Sequence, residues 1–76
     1  MSNLPRLSGL KITKVLTKEF GFSFVRQMGS HVMLRKFVEG RKVVTVVPMH
    51  KEVKHGTLMG ILDLAGVKKE DFVDKL

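Results

Sequence analysis

The 76-residue sequence contains no cysteine and no tyrosine, and only 7 of its residues are acidic. Without cysteine, neither a disulfide nor a thiolate-bound metal can stabilise the fold. Cysteine and tyrosine are also missing as nucleophiles for covalent catalysis, and the few carboxylates form no cluster of the kind that binds two catalytic metal ions. We therefore expect neither a metal nor any other cofactor.

Long apolar runs are absent as well. No stretch approaches the ~18 apolar residues of a membrane-spanning helix, and the opening MSNLPRLSG lacks a signal-peptide core. Hydrophobic residues nevertheless make up 43% of the chain, which is enough for a folded domain. Its core is expected to be modest, because a chain of this size buries only about 60% of its unfolded surface. These features predict one cytoplasmic domain without a membrane contact.

Positive charge is in excess. The 14 Lys and Arg residues against 7 Asp and Glu residues give a formal net charge of +7. In so small a chain, that excess favours a polyanionic partner, because neutralising phosphates releases their counterions. Basic charge also promotes solubility by itself, so the charge alone leaves both explanations open.

A first helix is predicted from Ser8, a good N-cap, to Gly21, which supplies a left-handed stop. Its apolar residues at helical spacing are Ile12, Val15, Leu16 and Phe20. The opposite side carries a basic stripe, which we interpret as a solvated face, formed by Lys11, Lys14 and Lys18.

Three segments rich in β-branched and aromatic residues are predicted to be strands, at 22–28, 31–37 and 42–47. Between the first two, Gly29-Ser30 is typical of a type II′ turn, and residues 39–41 make a second short hairpin connection. Pro48 ends the third strand because it has no N–H to donate to the sheet.

Two further helices are predicted after the strands. The second helix is expected to be capped by Gly56 or Thr57 and ended by Gly66, with an apolar stripe of Leu58, Ile61, Leu62 and Ala65. The terminal KKEDFVDKL predicts a short helix that docks through Phe72, Val73 and Leu76. The order is α-β-β-β-α with a short extra C-terminal helix, an α+β fold whose helices cover one face of a three-stranded antiparallel sheet.

The two-residue turn fixes the strand register, which places Met28 opposite His31 and Val25 opposite Leu34. The face under the helices is then expected to carry Val25, Val32 and Leu34. The other face is expected to carry His31 together with Arg26, Arg35, Phe22, Phe24, Met33 and Phe37. These large apolar residues are too many for a solvated face, so either a partner covers it or the inner face is the other one.

His31 is expected in open solvent beside cations. An imidazole titrates near pH ~6.5, so it both accepts and donates protons at neutral pH. Guanidinium and ammonium groups stabilise the added negative charge of a pentacoordinate phosphorane. If the substrate is RNA, its own 2′-OH supplies the nucleophile. The plainer alternative is that His31 is only a polar surface residue.

The stretches GFSFVRQMGSHVMLRK and VTVVPMHKEVKHGTLMGILDLAGVKKEDF closely resemble the HicA family of toxins from HicA–HicB toxin–antitoxin pairs. The match runs from about Leu7 to about Phe72, and its elements come in the family's order. They are a helix ending in Gly-Phe, then Gly-Ser-His, then Val-Pro-x-His-Lys, then Gly-Thr-Leu opening a helix. Each short motif alone is weak evidence for the family, but the set of motifs in this order is specific to it. We therefore expect residues 1–76 to form a single HicA-like toxin domain.

The resemblance implies a fold like that of a double-stranded-RNA-binding domain. It also implies an endoribonuclease that cuts mRNA and arrests translation until a cognate HicB-type antitoxin binds it. The family's catalytic histidine, in Gly-Ser-His, corresponds to His31. His50 belongs to a family motif too and is a second candidate for proton transfer. The residues expected to contact RNA are Arg26, Ser30, Arg35, Lys51, Lys54 and His50.

Two alternatives stay open. His50 and His55 form a His-x4-His pair without a cysteine or second carboxylate nearby, a poor zinc pattern, so surface roles are favoured. A non-catalytic RNA-binding module of the same fold would share the salt-sensitive binding of a nuclease. Replacing His31 distinguishes the two functions, because only an enzyme would lose RNA cleavage.

Overall fold

A three-stranded antiparallel sheet in the order β1-β2-β3 organises the chain. The computed structural model describes residues 6–76. Its elements are α1 (Gly9–Glu19), β1 (Ser23–Met28), β2 (His31–Val38), β3 (Arg41–Pro48), α2 (His55–Ala65) and α3 (Lys69–Asp74). Both long helices pack against β3, so they cover one face of the sheet. The predicted α-β-β-β-α order with a short third helix is confirmed.

The turn between β1 and β2 places His31 at the first position of β2. Met28 pairs with His31, as the sequence predicts. Gly29 has a φ of 59°, whereas Ser30 is not among the residues with positive φ. These are the φ signs of a type II′ turn, which requires glycine at its first central position. The second hairpin is one residue tighter than predicted, because Arg41 already pairs with Val38.

A β-bulge in β1 changes the predicted facing of two residues. Phe24 pairs with Leu34 and Arg26 with Met33, which leaves Val25 as the extra residue between the pairs. A bulge breaks strict alternation, so the predicted pairing of Val25 with Leu34 is wrong, and Val25 is half-buried and outside the core. Phe24 was expected on the face with His31, and this prediction is also wrong, because Phe24 pairs with the buried Leu34; the residue is nevertheless 58% exposed.

Phe22 was expected on the uncovered sheet face, and this prediction is also wrong. Strand β1 begins only at Ser23, so alternation does not govern the position before it. The Phe22 N–H donates to the Leu16 carbonyl at 3.2 Å, which ties the residue to the end of α1. Its ring is buried in the core, with the Lys36 ammonium 4.9 Å from the ring centroid.

The core lies between the helices and the covered sheet face. The predicted stripe of α2 is buried, and so are three of the four residues of the α1 stripe, namely Ile12, Val15 and Leu16 on α1 and Leu58, Ile61, Leu62 and Ala65 on α2. Phe20, the fourth residue of the α1 stripe, is the C-cap of the helix and is half-buried against the core. Phe72 of α3 is fully buried, whereas Val73 is half-buried and Leu76 is exposed. Burying a ring of this size stabilises the fold by about 1.5–3 kcal/mol. The buried Thr45 hydroxyl donates to the Ile61 carbonyl at 2.8 Å and joins β3 to α2.

The helix ends follow the sequence with one exception. The Ser8 hydroxyl caps α1 by accepting a hydrogen bond from the Lys11 N–H at 3.0 Å, as predicted. Helix α2 starts earlier than expected, at His55 with Lys54 as its N-cap, so neither Gly56 nor Thr57 is the cap. Gly66 ends α2 in the left-handed conformation, as predicted.

Within residues 6–76, none of the helices has the length and apolar character to cross a membrane.

Candidate active site

His31 is delivered to the surface by the hairpin between β1 and β2. It stands directly after the turn, with Met28 as its neighbour on β1 and Pro48 as its neighbour on β3. Its side chain is exposed, which confirms the predicted position of the imidazole in solvent. The ring therefore lies in solvent at the tip of the hairpin and outside the core.

A cleft opens beside His31, between the end of β3 and the start of α2. Its volume is about 390 Å³, and it is lined by His31, Pro48, His50, Glu52, Val53, Lys54 and Thr57. We call it the histidine cleft. Its walls therefore present two imidazoles, one ammonium group, one hydroxyl and one carboxylate. The ammonium, hydroxyl and imidazole groups are of the kind that bind a phosphate, and imidazoles and carboxylates are of the kind that transfer protons.

Backbone hydrogen bonds hold the irregular segment that forms the far wall of the histidine cleft. The Met49 N–H donates to the Ser30 carbonyl at 2.6 Å, so the segment is tied to the hairpin turn itself. The Gly9 N–H donates to the His50 carbonyl at 2.9 Å, and the Val53 N–H donates to the Leu7 carbonyl at 2.7 Å. The backbone of His50 is thus fixed from both the hairpin and the start of α1.

Gly9 supports the site in a way that sequence reasoning missed. It is buried, and a Cβ atom there would overlap the Pro48 carbonyl oxygen and lie 2.8 Å from the Met49 Cα. Only glycine lets α1 approach this closely. The signal in the sequence is a glycine directly after the N-cap Ser8, at a helix position where its low helix propensity requires a packing explanation.

The carboxylate in the histidine cleft is paired with a cation. Glu52 accepts a hydrogen bond from Arg6 at 3.1 Å, and both side chains are largely exposed. An exposed pair of this kind contributes little stability. It does place a guanidinium next to the one acidic side chain that lines the cleft among the described residues. Glu52 and Thr57 were not predicted as site residues, because their position depends on the folding of the loop before α2.

A second, smaller depression adjoins the cleft on the uncovered side of the sheet. It has a volume of about 90 Å³ and is lined by Arg26, Met28, His31, Met33 and Val46. His31 therefore belongs to both depressions. We call the uncovered side the open face; it comprises Arg26, Met28, His31, Met33, Arg35, Phe37, Val44 and Val46.

The structure brings some of the predicted RNA-binding residues next to His31 and leaves others apart. His50 and Lys54 share the histidine cleft with it, and Arg26 shares the depression on the open face. Arg35 and Lys51 line neither depression.

Of the remaining predicted contacts, Arg35 lies further along the open face, where its guanidinium stands 5.4 Å from the centroid of the Phe37 ring. Lys51 is exposed in the loop before α2, and Ser30 is exposed in the turn.

No group of three or more potential metal ligands forms anywhere in residues 6–76. His55, the possible zinc partner of His50, is the first residue of α2 and does not line the histidine cleft. The two histidines of the His-x4-His pair are therefore in different surroundings.

These features define a small basic α+β domain whose hairpin presents a histidine to a cleft lined by polar side chains. The model of one family, described as HicA toxin of bacterial toxin-antitoxin, matches residues 10–67. The match covers most of the chain, and the chain belongs to this family of toxins. Family membership also implies an antitoxin as its partner. No curated protein and no solved structure matches the chain.

Replacing Gly9 by alanine tests the support beneath the cleft. Because the added methyl group meets backbone atoms of Pro48 and Met49, we expect the free energy of unfolding to fall by about 1–3 kcal/mol. Thermal or urea denaturation measures the change. Gly60→Ala is the matched control, since Gly60 lies in α2 with open space around it. Alanine there should stabilise the helix by about 0.5–1 kcal/mol. Equal stability of the two variants would contradict the close approach at Gly9.

Proposed function

We propose that this toxin is an endoribonuclease that cuts mRNA without a metal ion, with His31 as general acid or general base. The observation that carries the proposal is the exposed imidazole of His31 on the wall of a cleft that also holds an ammonium group and a second imidazole. Membership of the toxin family and the formal net charge of +7 support the same conclusion.

The proposed reaction uses the RNA as its own nucleophile. The 2′ oxygen attacks the adjacent phosphorus, a bond between them forms, and the bond from phosphorus to the 5′ oxygen breaks. One group accepts the proton of the 2′-OH and another donates a proton to the departing 5′ oxygen. The products are a 2′,3′-cyclic phosphate and a 5′-hydroxyl. This chemistry needs neither a protein nucleophile nor a metal.

Cations around His31 have two different roles in this proposal. Lys54 shares the histidine cleft with His31, and Arg26 shares the depression on the open face with it. We assign to these two cations the stabilisation of the negative charge that develops on the scissile phosphate. Arg35 and Lys51, which line neither depression, bind flanking phosphates and set the position of the strand. Ser30 contacts the RNA backbone from the turn.

Replacing His31 by alanine distinguishes a nuclease from a non-catalytic RNA-binding module. We expect RNA cleavage, measured in EDTA, to fall by roughly 10²–10⁴-fold, because a positioned acid or base contributes that much. Growth arrest on expression should disappear as well. RNA binding should be largely retained, and stability should change by no more than about 0.5 kcal/mol, because the side chain is exposed. Unchanged cleavage would favour the binding module.

The role of the 2′-OH is tested with a modified substrate. Once the cut is mapped on an all-ribose oligonucleotide, the nucleotide that supplies the attacking 2′ oxygen is replaced by its 2′-deoxy form. We expect cleavage at that bond to stop, because no nucleophile remains there. The same replacement one nucleotide away is the control and should leave the cut in place. Cleavage of the deoxy bond would rule out this mechanism.

We further propose that the antitoxin is of the HicB type and covers the open face. Met28 and Phe37 are 61% and 62% exposed there, which is unusual for apolar side chains of this size. Arg26 and Arg35 stand among them, so an acidic partner with apolar contacts fits this face. Because His31 belongs both to the open face and to the histidine cleft, a protein seated on the face would also block the cleft.

Reversing charge on the open face tests this partner. The double variant Arg26→Glu and Arg35→Glu should raise the Kd of the complex with the cognate antitoxin by at least about tenfold. Added salt should weaken the wild-type complex, since screening reduces the attraction between exposed charges. Lys14→Glu is the control, because Lys14 lies on the exposed side of α1. Antitoxin binding that is the same in all three proteins and at high salt would exclude the open face as an electrostatic interface.

A further inference from the structure

The second imidazole of the histidine cleft makes no side-chain hydrogen bond within residues 6–76. The side chains of His31 and His50 are both exposed and both line the cleft. The backbone carbonyl of His50 accepts the hydrogen bond from Gly9, so the fold holds the backbone of this residue in place and leaves its ring available.

The reaction assigned to this cleft needs two proton-transfer groups. One must accept the proton from the 2′ oxygen, and the other must protonate the 5′ oxygen, which otherwise leaves as a strongly basic alkoxide. The other polar side chains of the cleft are poorly suited to either task. Lys54 lies in the cleft as a cation, Thr57 carries a neutral hydroxyl, and the Glu52 carboxylate is engaged by Arg6. Two imidazoles can perform both proton transfers, because one accepts a proton while the other donates one.

We propose that His50 is the second catalytic residue of the cleft and shares the two proton transfers with His31. This inference rests on the proposed nuclease function and names its second catalyst. One imidazole accepts the 2′-OH proton as the oxygen–phosphorus bond forms. The other donates its proton to the 5′ oxygen as the phosphorus–oxygen bond breaks. The ammonium of Lys54 and the hydroxyl of Thr57 then face the non-bridging phosphate oxygens. Exchange with solvent returns both rings to their starting protonation states.

His50→Gln tests the proposal, because glutamine keeps a polar side chain of similar reach but transfers no proton. We expect RNA cleavage to fall by roughly 10²-fold or more, with unchanged thermal stability and a much smaller loss of RNA affinity. His55→Gln is the matched control, since His55 is an exposed histidine five residues along that does not line the cleft. It should cleave at the wild-type rate. Wild-type cleavage by His50→Gln would overturn the proposal.

A substrate with sulfur in place of the 5′ oxygen at the cut separates proton transfer from mere positioning. A thiol ionises near pH ~8.5, so the thiolate leaves without being protonated. The residue that acts as the acid is then dispensable, whereas the base is still required. We expect one of the variants His31→Ala and His50→Gln to recover cleavage of this substrate and the other to stay inactive. Recovery in both variants, or in neither, would contradict a shared acid–base pair.

The outcomes also separate this proposal from the nuclease function on which it rests. If wild-type protein cuts no RNA, or if His31→Ala cuts at the wild-type rate, the proposed function fails. If wild-type protein cuts, His31→Ala does not, and His50→Gln cuts normally, the function stands and the role of His50 is rejected. The pH profile of kcat/KM gives a further readout. It should be bell-shaped for the wild type and lose one limb in His50→Gln.

Discussion

The hydrogen bond from the Met49 N–H to the Ser30 carbonyl, 2.6 Å long, is the contact on which the site depends. It extends the pairing of β2 and β3 by one step past His31 and Pro48, into the turn of the first hairpin. The chain then leaves the sheet at once, and His50 follows on the wall of the same cleft as His31. Two histidines that are 19 residues apart in sequence thereby line one cleft, and backbone hydrogen bonds hold the segment that carries the second.

The sheet divides the molecule into a covered side and an open side with different tasks. The covered side carries the core, and its buried Thr45 hydroxyl is satisfied by the Ile61 carbonyl, so within the described residues no buried side-chain polar atom lacks a partner. The open face keeps exposed apolar side chains, Met28 and Phe37, beside Arg26 and Arg35. Such a face is understandable in a toxin whose family works with an antitoxin. A partner that covered it could pack against the apolar side chains, pair acidic groups with the arginines and contact His31.

Much of the fold was predictable because local rules govern it. Helical spacing identified the buried stripes of α1 and α2, and Ser8 and Gly66 marked helix ends. The Gly29-Ser30 turn set the register that placed His31 opposite Met28. The errors fall where tertiary contacts override these rules. Phe22 turned into the core because the end of α1 holds it there, and a bulge removed Val25 from the alternating pattern.

The sequence by itself determined the elements, the exposed position of His31 and the basic character of its surroundings, because periodicity, turn chemistry and charge are properties of neighbouring residues. The tertiary structure decided which cations and which second histidine stand beside it. Lys54 and His50 reach the histidine cleft, while Arg35 and Lys51 do not. That selection arises from the close approach of Gly9 to the end of β3 and from the hydrogen bonds of the segment before α2. These contacts join residues far apart in the chain, and a pattern of neighbouring residues cannot predict which distant residues come into contact.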